Sequence, residues 1–354
     1  MNDFQKKLFH DGDLSRGDMP VVITSRIRLA RNLQDFNFVK YASKIDLAQI
    51  SDLCKDVLTS YPDIKNATVL NMSDLNEYQG KALVERHLCS PEFVVLNNES
   101  KLVFTNDHMT SVMINEEDHL RIQVFNNDLS FREMYEKINR LDDFISDHLA
   151  IAFDSSYGFL TSCPMNVGTG MRASVMLHLP ALVAIKQMSN LILAVQKLGF
   201  VVRGMYGENS EAQGKFFQIS NHQTLGLTEV DILSRLIQII QSIIEYELNA
   251  RELLKKEKKV QLYDTIGRAM GILSCSYAIS SAEAINHLSF LILAADMGYL
   301  PKKLTGDLRR LLINTQDAHV QVAENTALKP EDCDIKRAEI LRKFLADVPD
   351  LDFN

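Results

Sequence analysis

The sequence predicts an α+β fold: an antiparallel β-sheet flanked by helices over residues 1–225, followed by an all-α region over 226–354. Three observations carry this expectation. The strand-like runs FVVL (93–96), LVFTN (102–106) and TSVMI (110–114) follow one another across short polar turns, as in an antiparallel sheet. Strict alternation of strand and helix is missing, which disfavours a doubly wound parallel sheet. Beyond about residue 228 the apolar residues Val230, Leu233, Ile237, Ile240 and Ile244 recur at helical spacing.

Each element follows in chain order. VVITS (21–25) opens the sheet, and LRIQVF (120–125), FVVRGMY (200–206) and FFQIS (216–220) extend it. Helical patterns lie at roughly 43–59, 129–148 and 174–198. In the second region, Thr228 and Asp231 stand three apart before an apolar run, a variant of the capping box. Further helices are expected at 264–277, 281–296, 305–322 and 334–346, with Ser281 and Thr305 as N-caps and Gly298 as a stop. The seam near NHQTLGLTE (221–229) is weakly marked, and there is no internal repeat.

Composition excludes several classes. The 354 residues carry 38 Lys and Arg against 46 Asp and Glu, a net charge of −8, which argues against a nucleic-acid partner. No apolar run is long enough to span a membrane, and the start MNDFQKKLFHDGDLSRG has no signal-peptide core. The five cysteines are scattered without a CxxC pair, so neither a zinc ribbon nor a thioredoxin-type site is suggested, and no dedicated cluster of metal-binding carboxylates is visible. A sparse, odd set fits a reducing cytoplasm.

Four segments could carry chemistry. The chain has neither a GxxxxGK[ST] loop nor a protein-kinase GxGxxG set, so arginines would have to hold any phosphate. The segment Thr24 to Arg31 places Arg26 and Arg28 on one face of a strand, which fits either an anion site or a solvated face. Cys163 to Ser174 reads as a glycine-containing loop running into a helix with Arg172 near its start, either an anion site or an ordinary turn over a buried cysteine. Asn115 to Arg121 holds three consecutive acids between two strands, either a hairpin turn in water or a base at a strand end. Arg203 to Glu211 is an acidic, glycine-containing loop, either a surface loop or a lid bearing a carboxylate.

In this order, SRIRLAR (25–31), NEEDHLRI (115–122) and CPMNVGTGMRAS (163–174) resemble the phosphagen (ATP:guanido) kinase superfamily over most of residues 20–225. LTSCPMNVGTGMRASVMLHLPAL (160–182) and RGMYGE (203–208) resemble its bacterial protein-arginine kinase branch. The resemblance implies a guanido kinase/glutamine synthetase-like catalytic domain that holds ATP, with Mg2+ carried on the phosphates. By motif match, the nucleotide would meet Thr24, Ser25, Arg26, Ile27, Arg28, His87, Arg121, Arg172, Ala173, Ser174, Val175, Met176, Arg203, Gly204, Met205, Tyr206, Gly207 and Glu208. Glu117 would be the base and Glu211 a second clamp on the substrate guanidinium. Cys163 would be the reactive cysteine, either as a thiolate beside the substrate or packed beneath its loop.

The substrate implied is an exposed arginine of a protein, because only about twenty residues precede SRIR where free-guanidine kinases carry an enclosing domain. The helical region, with Glu324, Glu331, Asp332 and Asp334, would dock protein substrates. The branch further implies a homodimer, a zinc-binding activator protein, a Clp ATPase and marking of proteins for Clp-type proteolysis. Two departures stand out. Met165 replaces the usual Thr of the CPTN motif, and Cys333 replaces the first Arg of an RDxxRA-like phosphoarginine motif that keeps Asp334 and Arg337. Residues 333–338 are therefore either a phosphoarginine pocket or an exposed start to the last helix. Two other functions fit the same motifs: a free-guanidino (arginine) kinase and a phosphoarginine-reading adaptor with weak catalysis.

Overall fold

The computed structural model describes residues 2–8, 19–96, 99–204 and 213–353. The elements are α1 (Asp3–Leu8), β1 (Val22–Arg31), α2 (Lys44–Ser60), β2 (Thr68–Asn71), α3 (Glu77–Glu85), α4 (Pro91–Val95), β3 (Lys101–Phe104), β4 (Thr110–Ile114), β5 (Leu120–Asn126) and α5 (Phe131–His148). Then come β6 (Phe153–Asp154), β7 (Gly158–Phe159), β8 (Met171–His178), α6 (Pro180–Ala184), α7 (Met188–Lys197), β9 (Phe200–Gly204) and β10 (Phe216–Asn221). The rest is helical: α8 (Glu229–Glu257), α9 (Lys259–Cys275), α10 (Ser281–Asp296), α11 (Thr305–Asn314), α12 (Asp317–Glu324) and α13 (Pro330–Leu345). The main sheet has the order β2-β3-β4-β5-β1-β8-β10-β9, and β6 and β7 form a separate pair.

The α+β class and the helical second region are as the sequence predicts. Three elements differ, each for a local reason. FVVL is helical, because Ser90 caps α4 by accepting from the Phe93 N–H and Pro91 sits at the first helical position. The expected helix 174–198 is instead a strand followed by two short helices. Ala173, Val175 and Leu177 are fully buried on one face of β8 and Ser174 and His178 on the other, so a strand covered on both sides shows no alternation to read. The expected helix 305–322 breaks into α11 and α12 at Thr315 and Gln316. Ser280 rather than Ser281 caps α10, and Leu304 rather than Thr305 precedes α11. Thr228 and Asp231 do form the reciprocal cap at the start of α8.

The described chain falls into two compact units, Met1–Asp13 with Ser25–Ser174 and Ser220–Ile237, and Leu14–Thr24 with Val175–Ile219 and Gln238–Asn354. In the first, β1 pairs antiparallel with β5 and β5 with β4. One sheet face presents Ile27, Leu29, Val112, Ile122 and Val124, all buried. Helices α2 and α5 supply the matching apolar stripes Leu47, Ile50, Cys54, Leu58 and Phe131, Met134, Ile138, Leu141, Ile145. The opposite face, by the two-residue period of a strand, carries Arg26, Arg28 and Arg121.

Arg31 lies on the covered face and is wholly buried. Its Nε and Nη2 donate to the Asp142 carboxylate of α5 at 2.9 and 2.7 Å, and its Nη1 donates to the Ala30 and Thr169 carbonyls. The Phe159 ring stacks on the guanidinium, 3.5 Å from its centroid. Breaking one side of such a pair strands a buried charge, so Asp142→Ala should cost about 3–5 kcal/mol in urea unfolding. The double variant Arg31→Met with Asp142→Leu should recover most of that loss. A single variant as stable as the wild type would show that this pair does not hold β1 to α5.

In the second unit, buried Glu247 of α8 accepts the first free N–H groups of α6, from Ala181 and Leu182, and is paired with Arg251, which also bridges Asp296. His178 stacks on Phe216 with Nε2 2.7 Å from the Ser289 hydroxyl of α10, and burial holds its imidazole far below the usual range. No helix among the described residues is long and apolar enough to cross a membrane.

Candidate active site

The site grows from the arginine-bearing face of the sheet in the first unit. Arg26 and Arg28 are two residues apart on β1, and β5 runs back beside them with Arg121 opposite Ala30, diagonal to Arg28. Arg172 is the second residue of β8 and donates from Nη2 to the Ser220 hydroxyl on β10 (3.2 Å). Arg26 and Arg28 both feel the charges of Arg121 and Arg172. Burial first, then Arg26, Arg121 and Arg172, holds Arg28 well below its ordinary value. Burial, then Arg121 and Arg172, brings Arg26 down to about 9. Glu116 is the carboxylate that opposes this field at Arg28. The Arg28 Nε is buried with no hydrogen-bond partner among the described residues. A cluster of this kind is costly until an anion enters it.

The acidic turn after β4 is more buried than three carboxylates in water would be. Asn115 takes a left-handed backbone (φ 60°) and donates its N–H to the His119 carbonyl, which closes the turn. Glu116 is 4 % exposed. It accepts from Arg121 Nη1 (2.6 Å), the Ser90 hydroxyl (2.5 Å) and the Glu117 N–H (2.9 Å). Burial alone would raise its carboxyl, but Arg121 and those donors hold it below its ordinary value. Glu117 stands exposed at the tip. Partial burial raises its carboxyl, helped by Asp118, Glu116 and Glu92 and opposed by Arg121. One turn thus holds a locked anion and a neighbour with increased proton affinity.

Asp118 ties this turn to the cysteine loop. Its Oδ1 accepts from Asn32 Nδ2 (2.6 Å) and from the Ser162 N–H (2.7 Å). Asn32 Oδ1 accepts in turn from the His119 N–H. Half-buried Cys163 follows Ser162, and its carbonyl accepts from the Thr161 hydroxyl. The loop returns through Gly168 (φ 113°), where a Cβ would lie 2.5 Å from the Thr224 carbonyl, so no side chain fits.

The other expected residues are placed as follows. His87 has a left-handed backbone, and its carbonyl lies 3.3 Å from Gln123 Nε2, the side chain directly across from Arg28. Ser25 is buried with its hydroxyl donating to the Asp128 carbonyl. Ile27, Ala173 and Val175 are fully buried, so they can offer a ligand only backbone. Ser174 and Met176 are buried on β8 as well. The helix expected at Arg172 does not form, so the anion preference there comes from side-chain charge and not from a helix dipole. Thr24, Arg203 and Gly204 are half-buried and are counted with the second unit. Met205, Tyr206, Gly207, Glu208 and Glu211 lie outside the described residues.

The last helix starts at Pro330, with Pro330, Glu331 and Asp332 exposed, and the Cys333 segment lies in its first turns. Arg337 is fully buried, donating to the Thr315 and Ile279 carbonyls and paired with Asp334 and Asp317. Cys333 is buried beside it, with burial and then Asp317 raising its thiol. The guanidinium is already committed to two carboxylates and two carbonyls.

Comparison with known proteins matches this geometry to a lineage. Residues 49–250 match the family model of the ATP:guanido phosphotransferase C-terminal catalytic domain, and residues 259–354 match the protein-arginine kinase McsB C-terminal domain. A protein-arginine kinase of Geobacillus sp. (strain WCH70) is 43% identical over 93% of this chain and 91% of its own length. The chain belongs to the protein-arginine kinase family. A second member, from Shouchella clausii (strain KSM-K16), is 42% identical over 93% of this chain and 92% of its own. Among solved structures, the duplicated taurocyamine kinase from Schistosoma mansoni superposes with TM-score 0.60 at 27% identity, covering 67% of this chain and 35% of that one. Lombricine kinase, at 22% identity and TM-score 0.58 over 67% of this chain and 70% of its own, shares the fold. Membership makes ATP the phosphoryl donor.

Within that family frame, several supporting residues are not singled out by the sequence. Ser90, Glu116, Asp118, Asn32 and Ser162 form the scaffold of the acidic turn, and Asp142 anchors Arg31. Asp118 and Glu116 stood inside the three-acid run, but burial, the property that separates them from Glu117, is set by distant strands. Asn32 had no local signal beyond its position after Arg31.

Proposed function

We propose that this chain is a protein-arginine kinase that transfers the γ-phosphoryl of ATP to the guanidinium of arginine side chains in proteins. The observation that carries the reading is the cluster of Arg26, Arg28, Arg121 and Arg172 beside a turn whose tip carboxylate, Glu117, has raised proton affinity. The family relationship supplies the substrate class.

ATP enters as its Mg2+ complex, with the metal on the phosphates. The four arginines receive the phosphates and offset the charge that spreads over the transferring group and departing ADP. A guanidinium has a pKa above about 12 and no free lone pair to attack with. Glu117 accepts a proton from one substrate nitrogen as that nitrogen bonds the γ-phosphorus. The bond from phosphorus to the ADP oxygen breaks, ADP leaves with that electron pair, and Glu117 later returns its proton to water. Glu211 is proposed as the second carboxylate orienting the planar substrate, and Cys163 as the thiol beside it. His87 and residues 203–208 are proposed nucleotide contacts.

The catalytic domain is assigned to residues 1–225. The helical region 226–354 is assigned to docking of protein substrates and regulation. A cytoplasmic location, a homodimer, a zinc-binding activator, a Clp ATPase partner and marking for proteolysis complete the proposal. The commitments of Arg337 argue for a structural role over phosphoarginine binding at Asp334 and Arg337.

The test is incubation with ATP and either denatured casein or free arginine. Acid-labile phosphate on casein arginines, with little turnover of free arginine, is the expected result. Efficient phosphorylation of free arginine alone would make this a free-guanidino kinase. No transfer to either would leave only a binding role.

A further inference from the structure

Asp118 is a buried carboxylate, 2 % exposed, and no ion pair reaches it among the described residues. Its Oδ1 accepts from Asn32 Nδ2 and the Ser162 N–H. Both donors are neutral, and neither requires a charge: a neutral amide oxygen accepts the same two hydrogen bonds. An anion buried between neutral donors is costly, and holding three segments together does not explain it. Its position does. Asp118 adjoins Glu117 in the chain, and through Ser162 it fixes the backbone immediately before Cys163.

We infer that Asp118 is a positioning and tuning residue for phosphoryl transfer: it registers the Glu117 turn against the cysteine loop and places a negative charge beside the base. This rests on Glu117 being the base. The groups acting on Glu117 are Asp118, Glu116 and Glu92, which favour its protonated form, and Arg121, which opposes them. Arg121 is already bound to Glu116, and Glu92 lies in the first turn of the short helix α4. Asp118 is the strongest of the acidic neighbours. Removing its charge should therefore lower the proton affinity of Glu117, with the hydrogen bonds largely kept.

The experiment compares full-length wild type, Asp118→Asn and Asn32→Ser on casein across pH, with ADP affinity and thermal melts measured alongside. In Asp118→Asn the acidic limb of kcat should move down by about half a pH unit or more, and plateau kcat should fall several-fold, at unchanged ADP affinity. Asn32→Ser keeps the charge but loosens the tether, so kcat should fall while the limb stays at its wild-type position. An Asp118→Asn enzyme with the wild-type limb would overturn the tuning role. So would a limb that moves equally in Asn32→Ser. An Asp118→Asn chain that fails to fold would make the charge a folding requirement and also overturn it. Glu117→Gln separates the two levels. If that variant is active, the base assignment fails; if it is inactive while Asp118→Asn matches wild type, only the present inference fails.

Discussion

Glu117→Gln should abolish phosphoryl transfer, with kcat lower by about 10²- to 10⁴-fold, the usual contribution of a positioned general base. The fold should survive, because the Glu117 side chain is exposed at the turn tip and the bonds that shape the turn belong to its neighbours. The Glu117 backbone N–H still reaches Glu116, and Arg121 still pairs with Glu116. ADP affinity and melting temperature should therefore match wild type. The pH dependence follows from the sign of the shift. A raised carboxyl is protonated, and so unable to accept the substrate proton, below its own pKa. Activity in the wild type should fall on the acidic side, with the limb above the ordinary Glu value near 4.3. Residual activity in the variant should lose that limb. A Glu117→Gln enzyme with wild-type kcat would remove the base from the mechanism.

How much of this was legible beforehand depends on the range of the signal. The strand TSVMI and the helix 281–296 match their observed bounds, because the polar turns around the one and the apolar run and Gly298 stop of the other are local signals. The arginines were legible as residue types, since alternate positions on a strand share a face. Their mutual proximity comes only from the family resemblance, because Arg121 and Arg172 reach Arg28 through sheet pairing over long sequence separations. The sequence through Arg172 predicts a helix where a strand forms, since burial on both faces removes the alternation that marks a strand. The resemblance singles out Glu117 among the three acids, but the contacts that set it apart from Glu116 and Asp118 are hidden. Three adjacent acids look alike until Ser90, Arg121, Asn32 and Ser162 arrive from four other segments and bury two of them.

The same long-range convergence gives the second large expected effect. Arg28 is the guanidinium most opposed by its neighbours, with Arg26, Arg121 and Arg172 all acting on it and Glu116 alone compensating. Its Nε has no partner among the described residues. In the nucleotide-free protein Arg28 is thus a source of repulsion. Arg28→Met keeps the apolar stem and removes the charge, so the free enzyme should melt about 2 °C higher than wild type. With nucleotide the order reverses. Each charge-assisted bond to phosphate is worth about 1.5–3 kcal/mol, so ADP affinity should fall about 10- to 100-fold or more. A ligand that binds only the folded state raises its melting temperature in proportion to occupancy, so saturating ADP should lift wild type well above the variant. Sulfate at matched ionic strength should reproduce part of that lift in wild type and little in Arg28→Met, because it supplies the counter-charge without the base or ribose. If the variant melted lower than wild type in the free state and bound ADP equally well, Arg28 would be a structural cation and the phosphate site would have to lie elsewhere.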